Sequence, residues 1–193
     1  MHELRQILPN TSFIYYGDWA RAPYGDKQAD IVLGISIEII NSLIAAGVDL
    51  IVVACNTAWA SGIDKIHDTF DVPVFGVVEP TLDFIKSSGL TRVGLAATTV
   101  TVNSNIYGLE CATACPRLVP LIENGANGDE LDAAISEYFG QLLGENLDAI
   151  VLGCTHYPII EDKIVEFLNR SGEGHIQLIN PAKHIATKIA SSA

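Results

Sequence analysis

One short pattern occurs twice in this chain, and it constrains the fold more than any other feature. Residues 49–57 read DLIVVACNT and residues 148–155 read DAIVLGCT. In each copy an Asp precedes four apolar residues, then Ala or Gly, then Cys, so that Asp49 and Asp148 stand six positions before Cys55 and Cys154. A short apolar run rich in β-branched residues and closed by a polar corner reads as a buried strand. Each copy also follows a segment with helical periodicity, 35–48 and 131–147. Two related βα units are expected, each carrying one thiol at the carboxyl end of its strand, where doubly wound α/β domains bind ligands.

The rest of the chain alternates in the same way. Strands are expected at 12–17, 49–54, 73–78, 92–97, within 115–122, and at 148–152 and 176–179. Helical segments are expected at 2–8, 29–46, 57–69, from 79 to the Ser87–Ser88–Gly89 stop, from the TTVT turn to Leu109, and at 129–144, 158–170 and 181–190. Alternating β and α elements imply an α/β fold with parallel sheets and helical crossovers. The expected architecture is two pseudo-symmetric lobes with the active site in the cleft between them. The first lobe spans 1–78 and carries Cys55, with 171–193 returning to it; the second spans 79–170 and carries Cys154.

Composition sets the outer limits. The chain has 193 residues, 49% of them hydrophobic and 18% charged, enough to build real cores. No apolar run approaches the roughly 20 residues that span a bilayer, and the opening residues lack a signal-peptide pattern. A cytoplasmic location and no membrane partner are therefore expected. The net charge of −12, from 11 basic and 23 acidic side chains, argues against a nucleic-acid partner. The four cysteines form no CxxC pair, which fits free thiols rather than a disulfide scaffold.

A thiol at a strand end and helix start sits in a positive partial-charge field that lowers its pKa from about 8.5. One such thiol suggests a nucleophile. Two, presented to one cleft by similar units, suggest a base on one face of a carbon and an acid on the other. Cys55 and Cys154 would then invert a Cα centre by removing and returning a proton, with no cofactor and no metal. Asn56, Thr57, Thr155 and adjoining amides would hold a carboxylate. The alternative is that both are buried structural cysteines.

The segments ACNTA (54–58), GCTHYP (153–158), GDWARAPYG (17–25) and CPRLVPLIE (115–123) together resemble the glutamate racemase family, within the aspartate/glutamate racemases. The resemblance implies two α/β lobes and cofactor-independent racemisation by Cys55 and Cys154, with His156 assisting Cys154 and Glu123 nearby. It also implies that Tyr24 and Gly25 belong to a substrate-holding loop and that Asn56, Thr57 and Thr155 contact substrate. The implied role is supply of D-glutamate for peptidoglycan, by a homodimer. The sequence departs from the family in three places. A strand and DSG-containing turn ahead of the helix matching His2–Leu8 are not present, so an exposed apolar slot is expected, with self-association as one way to cover it. Trp19 and Trp59 replace smaller residues near the first thiol, and 106–116 is short. The second reading is accordingly a racemase-like protein that binds without turnover, or a racemase for another acidic amino acid such as aspartate.

Other residues carry less. Cys111 and Cys115 are expected to be structural, His67, His175 and His184 to lie at the surface, and Glu79 to start a helix before Pro80.

Overall fold

The computed structural model describes residues 1–192. In chain order the elements are α1 (His2–Ile7), α2 (Ala29–Ala45), β1 (Ile51–Val53), α3 (Asn56–Ala58), a π-helical stretch at Trp59–Ile63, α4 (Asp64–Ile66), β2 (Val74–Gly76), α5 (Val78–Ser88), β3 (Val93–Ala97), α6 (Thr99–Asn103) and β4 (Cys111–Ala114). They continue with α7 (Leu118–Glu123), α8 (Asp129–Phe139), β5 (Ala149–Gly153), a 3-10 turn at Tyr157–Ile160, α9 (Glu161–Arg170), β6 (Gln177–Ile179) and α10 (Pro181–Ser192). The architecture is α/β with parallel sheets flanked by helices: a two-stranded sheet β1–β2 and a four-stranded sheet in the order β4-β3-β5-β6.

The two central strands explain their own composition. All five residues of β3 and all five of β5 are buried, as a parallel strand covered on both faces requires. Ile150 and Leu152 face a core built with α8, α9 and the Tyr157 turn. Ala149 and Val151 face the opposite way, with Val93 and Leu95, into a core shared with Ile51 and Val74 of the smaller sheet. Gly153 closes β5 because no side chain fits: a Cβ there would lie 2.7 Å from Leu95 Cδ1 and 2.8 Å from Ala97 Cβ. Asp148, the residue opening the second repeat, accepts hydrogen bonds at Oδ2 from the Thr91 amide (2.7 Å), the Thr91 hydroxyl (2.9 Å) and the Arg92 amide (2.9 Å). It thereby fixes the start of β5 level with the start of β3.

The connection leaving β3 runs to one side of the sheet, to β4, and the one leaving β5 runs to the other, to β6. The carboxyl ends of these adjacent strands, Ala97 and Gly153 in register, therefore form the switch-point crevice where such sheets bind ligands. The 171–193 region divides. Gln177–Ile179 extends the four-stranded sheet beside β5, while α10 packs through Ile185, Ala186 and Ile189 against Leu4 of α1 and Val77.

Four expected elements differ. Residues 12–17 form no strand, and Ile14, Tyr15 and Tyr16 are exposed, because β propensity makes a strand only where a neighbour completes the hydrogen-bond ladder. The expected strand within 115–122 lies earlier, at 111–114, and Leu118–Glu123 is helical. The helix expected at 57–69 is interrupted by the π-helical stretch, where Gly62 has φ +127°. Helix α6 ends at Asn103, well short of Leu109.

Candidate active site

Cys55 follows β1 and Cys154 follows β5, so both thiols occupy the strand-end corner that the repeat predicts. Their surroundings also match. The amides of the second and third residues beyond each thiol, Thr57 and Ala58 in one case and His156 and Tyr157 in the other, act to stabilise its thiolate. Around Cys55 they do so without closing a capping hydrogen bond. Burial is the larger effect on both. It raises the Cys55 thiol, and it pushes the Cys154 thiol up to about 12. A charge on Cys55 raises Cys154 further. Like charges at short range disfavour double ionisation, so the pair favours at most one thiolate.

Cys154 is backed by a relay. Its Sγ lies 3.7 Å from His156 Nδ1, and His156 Nε2 lies 3.0 Å from Glu123 Oε1. The carboxylate holds the imidazole by one nitrogen and leaves the other facing the sulfur. Glu123 comes from the end of α7 and His156 from the corner after β5, two segments that fold against one another in the same core.

On the Cys55 side, Asn56 and Thr57 are buried at the start of α3. The Thr57 hydroxyl shares a 2.9 Å hydrogen bond with Thr98, which in turn is 3.0 Å from Thr101. The Tyr107 hydroxyl donates to Asn56 Oδ1 at 2.6 Å. Tyr24 donates to Asp18 Oδ2, and Arg21 bridges that carboxylate (2.6 Å) to Glu38 of α2 (2.8 Å). Burial would raise the Asp18 carboxyl, but the bonds from Tyr24 and Arg21 hold it below its ordinary value. Tyr24 is near enough to Cys55 for the thiolate's charge to raise its phenol. Gly25 lies against Thr98, whose Cγ2 would be 3.1 Å from a Cβ at that position, and its carbonyl accepts from the Val100 amide at 3.2 Å. Thr155 is exposed beside Cys154.

The geometry thus gathers Tyr24, Gly25, Asn56 and Thr57 around the first thiol, and Thr155, His156 and Glu123 around the second. Thr98, Thr101, Tyr107 and Asp18 join them without having been singled out in the sequence. The two indoles differ sharply in burial. Trp59 is buried (1% exposed), with Nε1 donating to Glu79 Oε1 at 2.9 Å and its ring tilted against His67 at 5.2 Å; Trp19 is 74% exposed.

The sequence matches the Asp/Glu/hydantoin racemase family model over residues 20–189. That match decides the question of ancestry. The chain belongs to the Asp/Glu/hydantoin racemase family. Among curated relatives it is 36% identical to the glutamate racemase of Desulforudis audaxviator, with 94% of this chain and 70% of the relative aligned. It is 41% identical to that of Thermus thermophilus, over 83% of this chain and 63% of the relative. Among solved structures, the fold superposes on T. thermophilus glutamate racemase in complex with β-chloro-D-alanine with a TM-score of 0.88 at 36% identity, covering 99% of this chain and 73% of the other. It does so equally on Francisella tularensis glutamate racemase in complex with D-glutamate, with a TM-score of 0.88 at 32% identity, over 98% and 74%. Against the curated relatives the chain spans between 63% and 75% of their length. These relatives are amino-acid racemases of a two-lobed fold. No helix among the described residues is long and apolar enough to cross a membrane.

Proposed function

We propose that this protein racemises glutamate by a two-thiol 1,1-proton transfer. The carrying observation is the pair of matched thiol corners, in which a charge on one sulfur disfavours a charge on the other. One cysteine, as thiolate, takes the Cα proton from one face of the bound amino acid. The electron pair delocalises into the α-carboxylate, and the thiol on the opposite face returns a proton to Cα. The product is the mirror isomer, and the two cysteines have exchanged protonation states, so nothing else is consumed. Cys55 would serve one face and Cys154 the other, with His156 and Glu123 assisting Cys154. Substrate would be held by Tyr24, Gly25, Asn56, Thr57 and Thr155. Both thiols stand raised in the ligand-free protein, and the ammonium of a bound amino acid supplies the cation that favours a thiolate.

In the cell this activity would supply D-glutamate for peptidoglycan from a cytoplasmic enzyme, and rescue of a D-glutamate auxotroph tests that role. A homodimer is supported by the exposed Ile14, Tyr15, Tyr16 and Trp19; a monomer by light scattering would sink that part. The direct test of the chemistry is Cα proton exchange in D₂O followed by NMR, starting from L- and then D-glutamate. Exchange with racemisation, abolished in Cys55→Ala and Cys154→Ala, is the expected result. A second reading, binding without turnover, draws on the segment 12–17, which forms no strand, and on a smaller sheet of two strands. Glutamate binding with no exchange in folded protein would select it, and exchange with L-aspartate alone would reassign the substrate.

A further inference from the structure

Tyr107 lies in the turn between α6 and β4, 51 residues beyond its partner Asn56. It is 3% exposed, and its ring belongs to the core shared by the two sheets. Asn56 Oδ1 accepts the proton of its hydroxyl at 2.6 Å, and Glu79 and Thr81 stand close enough to act on its ionisation. Burial and the Glu79 charge both keep the phenol protonated, so it remains a donor.

A carboxamide offers one acceptor oxygen and two N–H donors, and its orientation is set by its partners. With Oδ1 committed to Tyr107, Asn56 has its Nδ2 donors left to offer a ligand. Asn56 is itself 2% exposed and adjoins Cys55. Rotation of this amide would turn an oxygen toward the same place and repel an anion instead.

From this geometry we infer that Tyr107 is a positioning residue that locks the Asn56 amide with its donors toward the site, making that position selective for a carboxylate. The inference rests on the amino-acid substrate proposed above. It requires no contact between Tyr107 and substrate.

The test uses 15N-labelled full chain, following the Asn56 side-chain amide while L-glutamate is added, together with Tyr107→Phe. This variant keeps the ring in the core and removes only the hydroxyl. The expected result is an Asn56 amide signal that responds to glutamate in the wild type, with affinity about tenfold weaker in Tyr107→Phe, as loss of one well-placed hydrogen bond implies. In turnover the loss should fall on KM rather than kcat, with the melting temperature lowered only by the modest amount that one unpaired buried acceptor implies. In an Asn56→Ala background Tyr107→Phe should add nothing. Equal glutamate affinity in the two proteins overturns the inference, as does an Asn56 amide that never responds, or a loss of affinity that persists in the Asn56→Ala background. Wild type that binds through Asn56 yet exchanges no Cα proton sinks the racemase reading and leaves the role of Tyr107 standing.

Discussion

Thr57 and Thr98 join the two strand ends of the site by a single 2.9 Å hydroxyl contact. Thr57 lies in the helical turn after Cys55, and Thr98 follows β3, so the bond ties the thiol corner of the smaller sheet to the switch-point crevice of the larger. Both hydroxyls are buried, and Thr57 also acts to lower the Cys55 thiol.

Thr98→Val keeps the shape and removes the hydroxyl, leaving Thr57 without this partner. An unsatisfied buried hydroxyl costs about 1–3 kcal/mol, measurable by urea unfolding. If Thr57 also turns away from Cys55, one of the influences lowering that thiol is lost. The thiolate-dependent limb of the pH–rate profile should then move to higher pH. An unchanged profile would show that Thr57 needs no support from Thr98.

Gly76 and Trp59 form the tightest fit in the smaller sheet. A Cβ at Gly76 would lie 2.1 Å from Trp59 Cδ2 and Cε2, and the buried ring cannot yield without leaving Glu79. Gly76→Ala should therefore destabilise by about 1–3 kcal/mol, the usual cost of overpacking. Trp59→Phe loses the indole hydrogen bond at a cost of about 1 kcal/mol. The double variant should recover part of the Gly76→Ala loss, since the residues touch. Strict additivity by urea unfolding would count against this contact.

Asp148 sets a pH dependence whose sign is fixed. Amides of Arg92 and Thr91 and the Thr91 hydroxyl hold its carboxyl below the ordinary 3.8. A carboxyl lowered on folding contributes stability that is present above the ordinary value and is lost as pH falls through the lowered one. Wild-type melting temperature should thus fall more steeply than that of Asp148→Asn between about pH 5 and pH 2. Parallel curves would remove Asp148 from the acid response.

The doubled corner was legible because its signal is local. Short apolar strands read as unbroken apolar runs, and the thiol after each run follows from the same short stretch of sequence. The grouping of Cys154, His156 and Glu123 was legible too, through motifs rather than periodicity. The lack of a strand at 12–17 was not, because Phe13, Ile14, Tyr15 and Tyr16 have strand propensity regardless of whether a neighbour exists to pair with. Nor was the π-helical stretch at Trp59–Ile63, which depends on Gly62 adopting φ +127°. Thr98 and Tyr107 reach the site across 41 and 51 residues, and a hydroxyl in a Thr-rich turn carries no mark of the partner it will find.

The relay predicts an asymmetry in catalysis. His156 and Glu123 contact only the Cys154 side, so Glu123→Gln should release the imidazole and weaken the transfer that uses Cys154 as base more than the opposite one. Single-turnover wash-out of the Cα proton, compared for L- and D-glutamate, reads this directly. Expected is a loss on the order of tenfold to a hundredfold in one direction, with a smaller change in the other. Equal losses would mean that the relay serves the fold of the corner rather than Cys154.

The raised thiols give the last expectation. Burial disfavours the charged form, so Cys154, pushed up to about 12, should be almost wholly protonated at neutral pH in the ligand-free protein. Since the thiolate is the reactive species, alkylation of Cys154 by iodoacetamide, read by peptide mass spectrometry, should be slow near pH 7 and climb steadily into the alkaline range. Cys55→Ala removes the neighbouring charge that raises Cys154, and should shift this rise to lower pH. Bound D-glutamate, placed between the sulfurs, should protect both cysteines sterically. Cys154 reacting near pH 7 as fast as a free cysteine would show that its corner is open to water, and the dry, protonated thiol expected of the resting protein would not exist.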